Sequence, residues 1–116
     1  PTPFELSTPG GITVCSDGPL GMGRVLVRPE ENLLEVDYAL PPPAGSPGIE
    51  ELQEKQPHRF RPDVDVSKVR AQSARALRVS GFDEPPRVVL NGEELPGPFP
   101  RHRINGVSCI RVQIAQ

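Results

Sequence analysis

Asn91-Gly92 sits between Arg87-Val88-Val89-Leu90 and Glu93-Glu94-Leu95. That dipeptide between apolar runs is a strong hairpin signal, because both central residues of a type I′ turn take φ > 0 and Asn and Gly do so at the least cost. A two-residue loop also dictates register, so Val88 is expected opposite Leu95. The closing stretch Ser108-Cys109-Ile110-Arg111-Val112-Gln113-Ile114 alternates. Ile110, Val112 and Ile114 fall on one face, and Cys109, Arg111 and Gln113 on the other, the period of a half-buried strand. The chain therefore reads as a β domain.

A second hairpin is visible upstream. Arg24-Val25-Leu26-Val27-Arg28 and Leu33 to Leu40 flank Pro29-Glu30-Glu31-Asn32. Val25 and Val27 share a face, as do Leu34, Val36, Tyr38 and Leu40, which predicts antiparallel strands closed by a four-residue turn. Phe4-Glu5-Leu6 and Gly11 to Cys15 predict two more short strands, with turn residues between them. Sixteen prolines argue against a helical bundle, because proline is excluded from helix interiors and central strands. Pro41-Pro42-Pro43 reads as a stiff spacer opening an irregular segment near 41–62. Within it Ser46 would cap, and Pro47 begin, at most one short helix. The segment 63–77 fits either period, and Ala74 to Ser80 is read as strand with Leu77 and Val79 inward.

Seven or eight short strands separated by turns predict an all-β fold. The expected architecture is an antiparallel β-sandwich, Ig-like or jelly-roll-like, with a small β-barrel as the alternative. A chain of 116 residues makes one domain spanning 1–116. Its expected core is aliphatic: Val25, Val27, Leu34, Val36, Tyr38, Leu77, Val79, Val88, Ile110, Val112 and Ile114. The chain opens at Pro1 without a methionine and shows no signal peptide, which fits a mature product or a piece of something longer.

Charge is unevenly spread. Residues 1–56 carry three basic and nine acidic side chains, whereas residues 57–116 carry ten basic and six acidic. Either the halves compensate each other, or a basic face meets an acidic partner. Arginine outnumbers lysine eleven to two, and arginine binds carboxylates bidentately. Arg59, Arg61, Arg101 and Arg103 form the candidate binding set, if loops at one end of a sandwich bring them together. Nucleic acid is not an expected partner, since interleaved aromatics and a basic total charge are both missing. Nor is a membrane, since no stretch approaches the length of an apolar span.

Cys15 and Cys109 fall in the second and last expected strands and form a candidate disulfide. His58 and His102 lie in proline-flanked basic segments, and a nucleophilic pair of Cys109 with His102 is conceivable in principle. No small-residue elbow surrounds either cysteine, so solvated imidazoles are the expectation. Asp63, Asp65, Asp83 and Glu84 lack calcium-loop spacing and are expected as outward charges. No catalytic residue, metal ligand set or cofactor is expected. The absence of Trp and the single Tyr disfavour stacking on sugar rings.

The run Pro86-Arg87-Val88-Val89-Leu90-Asn91-Gly92-Glu93-Glu94-Leu95, with Ile104-Asn105-Gly106-Val107-Ser108-Cys109-Ile110-Arg111-Val112, resembles the end of β-sandwich domains appended to carbohydrate-active enzymes. The likeness covers about a quarter of the chain and carries over no functional residue. It implies a non-catalytic accessory or interaction module of a larger, exported, polymer-degrading enzyme, in an extracellular or periplasmic setting. A neighbouring domain or an acidic protein would then be the partner. The alternative is a stand-alone binding protein using its arginine-rich loops on an acidic ligand. A small enzyme ranks third.

Overall fold

The computed structural model describes residues 3–115. Within them lie β1 (Glu5–Ser7), β2 (Thr13–Ser16), β3 (Arg24–Arg28), β4 (Leu33–Asp37), α1 (Gly48–Lys55), α2 (Val66–Gln72), β5 (Ala76–Ser80), β6 (Arg87–Leu90), β7 (Glu93–Glu94), β8 (Arg101–Ile104) and β9 (Val107–Gln113). The chain is mostly β. Five strands form one sheet in the order β1-β2-β5-β9-β8, and four form another in the order β3-β4-β6-β7.

Turn chemistry explains the hairpins. Pro29–Glu31 makes a 3-10 turn between β3 and β4, closed by Asn32 in the left-handed region at φ 50°. Val25 then meets Val36, and Val27 meets Leu34, as the alternation predicts. Asn91 and Gly92 adopt φ 52° and 84°. The Leu95 amide donates to the Val88 carbonyl at 2.8 Å, so the expected register holds. Asn105-Gly106 repeats the same positive-φ pair between β8 and β9.

The inner faces of both sheets meet in one core. Val14, Leu77, Val79, Ile110 and Val112 come from the five-stranded sheet, and Leu34, Val36 and Val88 from the other. Nine of the eleven expected core residues are buried; Val25 and Val27 are half-buried and pack against the cluster. Phe60 is also fully buried, although it comes from the irregular segment.

Four expectations need correction. Two helices form rather than at most one, because Asp65 caps α2 by accepting from the Lys68 amide at 3.3 Å. The strands are not all antiparallel: β4 and β6 run parallel, with Leu34 beside Val88 and Val36 beside Leu90. The chain between them passes through both helices and β5, ample length for a parallel return. Neither sheet closes on itself, so no barrel forms. Ser46 does not cap α1 through its side chain; Pro47 holds that position, and Ser46 Oγ is buried without a hydrogen-bond partner among the described residues.

Asn91 does more than turn the chain. Its amide oxygen accepts from the Tyr38 N–H at 2.9 Å, and its amide nitrogen donates to the Tyr38 carbonyl at 2.8 Å. The side chain thus continues the parallel β4–β6 ladder one residue past its end. Asn91→Gly keeps the positive φ and removes both bonds. Net hydrogen-bond values predict a loss of about 1–3 kcal/mol for the pair. Denaturant unfolding checks it, and a midpoint equal to wild type contradicts the clamp.

Candidate functional site

Strand register arranges the outer face of the five-stranded sheet in rows. Glu5, Cys15, Arg78 and Arg111 lie side by side in one row. Ser7, Thr13, Ser80, Cys109 and His102 make the next. Ile104 and Val107 pair beyond it, 38% and 54% exposed. These side chains point outward because their neighbours along each strand, such as Val14, Val79 and Ile110, fill the core.

Arg78 and Arg111 are exposed and directly opposite each other. Like charges in that position are destabilising. Neither makes an ion pair among the described residues. The outer face of the four-stranded sheet is different. There Arg24 pairs with Asp37 at 3.4 Å, Arg28 with Glu35 at 3.4 Å, and Arg87 with Glu94 at 3.3 Å. One face is charge-balanced and the other is basic, with exposed aliphatic side chains beside the arginines. Arg24–Asp37, Arg28–Glu35, Lys55–Glu51, Arg61–Asp63 and Arg87–Glu94 each join two residues of the same half of the sequence.

A second feature lies near the start of β5. A cavity of about 290 Å³ is lined by Leu20, Tyr38, Leu40, Leu52, Arg59 and Phe60 among others. A neighbouring groove of about 720 Å³ includes Phe4, Pro19, Val69 and, again, Leu20, Gly21 and Arg59. Tyr38 donates its hydroxyl to the Ala74 carbonyl at 2.8 Å. Burial pushes the Tyr38 pKa above that of an ordinary phenol, while the charges of Arg59 and Arg75 pull the other way.

The four arginines singled out from sequence are not brought together. Arg59 donates to Ser73 Oγ at 3.2 Å, just ahead of β5. Arg61 pairs with Asp63 at 3.4 Å. Arg101 lies opposite Ile110, and Arg103 lies opposite Ser108, past the far end of β5. Arg101 lines a small cavity with Asp83 and Glu84. The arginines that do face each other, Arg78 and Arg111, carried no sequence signal beyond their outward phase, because the pairing of β5 with β9 is a matter of strand order.

Cys15 and Cys109 are free. Both point to the outer face, but β5 runs between their strands and their rows differ by one. Strand spacing puts them roughly 12 Å apart, beyond the reach of a disulfide without backbone movement. Cys109 and His102 are indeed cross-strand partners, yet the thiol lies 3.5 Å from the His102 carbonyl, to which it donates. His58 is exposed at the edge of the larger groove. Among the described residues no group of three or more His, Cys, Asp or Glu is placed to hold a metal ion. Comparison with family models, curated proteins and solved structures found nothing that matches this chain.

Two measurements follow from this geometry. A thiol reagent is expected to label half-buried Cys15 first, and buried Cys109 only on unfolding. A reductant-sensitive pair that resists the reagent in denaturant would show a bridge instead. Tyr38 is the only tyrosine, so tyrosinate absorbance reads its pKa directly. Its folded pKa is raised, so the native state favours the protonated form. That stabilisation is complete below the unfolded pKa near 10.0 and is lost as pH rises through the folded value. Wild type should weaken in this alkaline window, and Tyr38→Phe should flatten that dependence. A Tyr38 titration at or below the free phenol value contradicts it.

Proposed function

We propose that this chain is a β-sandwich interaction module that holds an acidic protein segment on the outer face of its five-stranded sheet. The carrying observation is the cross-strand pair Arg78–Arg111, which makes no ion pair among the described residues, in a chain whose other sheet face matches each arginine with a carboxylate. Two guanidiniums side by side offer planar, bidentate recognition of carboxylates. Ile104 and Val107 extend the same face with exposed apolar surface. An extended segment alternating acidic and aliphatic side chains complements both. The accessory-domain resemblance of the C-terminal hairpins agrees with such a docking role.

A peptide of alternating glutamate and leucine is the probe. It should bind saturably, and more weakly as salt screens the exposed charges. Arg78→Glu with Arg111→Glu should abolish binding, and Arg24→Glu on the balanced face should leave it intact. A sulfated polysaccharide bound in preference to the peptide, or no binding of either, overturns the assignment. Stability gives an independent signature. Arg111→Gln removes a like-charge contact, so it should leave stability unchanged or raise it by a few tenths of a kcal/mol, up to ~1 kcal/mol, while weakening the peptide. Marked destabilisation would mean that Arg111 is a structural residue.

A further inference from the structure

The two cavities near the start of β5 meet at one side chain. Arg59 lines both, together with Leu20 and Gly21. Its guanidinium lies over the backbone of Gly21, where a Cβ would overlap Nη1, and Gly21 itself takes φ +62°. Any other residue at position 21 would displace the arginine. Phe60 supports it from below, its ring centroid 5.4 Å from the guanidinium carbon. Ser73 Oγ accepts one N–H at 3.2 Å and in turn donates to the Val69 carbonyl at 2.8 Å. The group is therefore fixed from three sides.

A guanidinium has five N–H donors, and the Ser73 bond is the one Arg59 makes to the protein among the described residues. Arg59 is half-buried and has no ion pair among those residues. The one carboxylate in the smaller cavity, Glu51, is already taken by Lys55 at 2.7 Å. Most of the remaining wall is apolar, with Leu20, Tyr38, Leu40, Leu52 and Phe60 prominent, while Lys55, Gln56 and Ser73 add polar groups. α1 covers this cavity without burying a single residue, so its Leu52 faces the space half-exposed. Ligand sites have this composition, an apolar concavity with few fixed polar groups.

We propose that this cavity binds a small carboxylate with an apolar body, its carboxylate on the free N–H groups of Arg59 and its hydrocarbon against Leu20, Leu40 and Leu52. A carboxylate suits a single planar guanidinium better than a phosphate, because Lys55, the other cation of the lining, is paired with Glu51 and Ser73 Oγ is engaged by Arg59. The site shares none of these residues with the outer face of the five-stranded sheet, so either assignment can fail alone.

Octanoate, octanol and octylamine are the probes, and Tyr38, the only tyrosine, is the reporter because it lines the cavity. Octanoate should give a saturable change in tyrosine fluorescence; octanol and octylamine should bind far more weakly. Arg59→Gln should cost roughly tenfold or more in octanoate affinity, the scale of a charge-assisted hydrogen bond. Leu52 lies outside the core cluster, so Leu52→Glu should fold normally while placing a competing carboxylate in the cavity, and should abolish binding. That variant decides the matter if Arg59→Gln fails to fold. Equal binding of octanol and octanoate, or unaltered octanoate binding in Leu52→Glu, overturns the assignment. So does the lack of any saturable response in wild type.

Discussion

Tyr38 is where the two sheets are tied. Its backbone amide and carbonyl are both held by the Asn91 side chain, beyond the last residue of β4. Its ring is buried in the shared core, and its hydroxyl reaches the Ala74 carbonyl just ahead of β5. One residue thus joins the four-stranded sheet, the type I′ turn and the segment that leads into the other sheet. A buried hydroxyl must find an acceptor or cost free energy, so this bond fixes where the ring can sit. The ring then forms a wall of the cavity beside Arg59. Core, sheet junction and cavity depend on the same side chain.

Electrostatics separates the surfaces that packing treats alike. Both sheets show alternate residues to solvent, and both carry arginine there. Cross-strand carboxylates answer the arginines of β3 and β6. Exposed pairs of this kind contribute little to stability, but they leave no unbalanced field. Arg78 and Arg111 have no such answer among the described residues. Self-repulsion on a folded surface in a chain with fifteen acidic side chains marks a place where stability is not the only demand. Edge strand β8, exposed along its whole length, presents Arg101, His102 and Arg103. Charge there also guards against edge-to-edge pairing, a sufficient account of those three residues.

Local chemistry was legible in the sequence, and long-range order was not. Asn91-Gly92 determines its own turn through φ, and the alternation in β3, β4 and β9 determines which side chains are buried. Asn105-Gly106 carries the same signal, but the fully exposed β8 offers no apolar alternation to reveal a strand before it. Asp65 could be seen as a helix cap only if Val64 and Val66 were not taken as strand, and a short run satisfies both periods. The parallel β4–β6 pairing depends on a path through the 49 residues from 38 to 86, which no local pattern encodes. The site suffered most. Rows across a sheet require strand order, so the convergence of Arg78 with Arg111 is invisible in the sequence, whereas Arg59 stands in an arginine-rich segment and lines a cavity for reasons of packing.

Separation of the cavity from the basic face has a structural basis. Asp17 Oδ1 accepts from the backbone amides of Arg75 and Ala76 at 2.8 and 3.1 Å, which anchors the first residue of β5. From there the ladder with β2 and β9 runs without interruption to Ser80. Arg78 is therefore positioned by strand register, not by the proline-rich segment or by α1. That segment is held otherwise, through Arg70 Nη1 on the Pro41 carbonyl and through Phe60 in its own buried niche. A helix with no buried residue can adjust over its cavity at little cost in core packing. The sheet that displays Arg78 and Arg111 has no such freedom. The rigid element carries the extended face, and the loosely packed one covers the cavity.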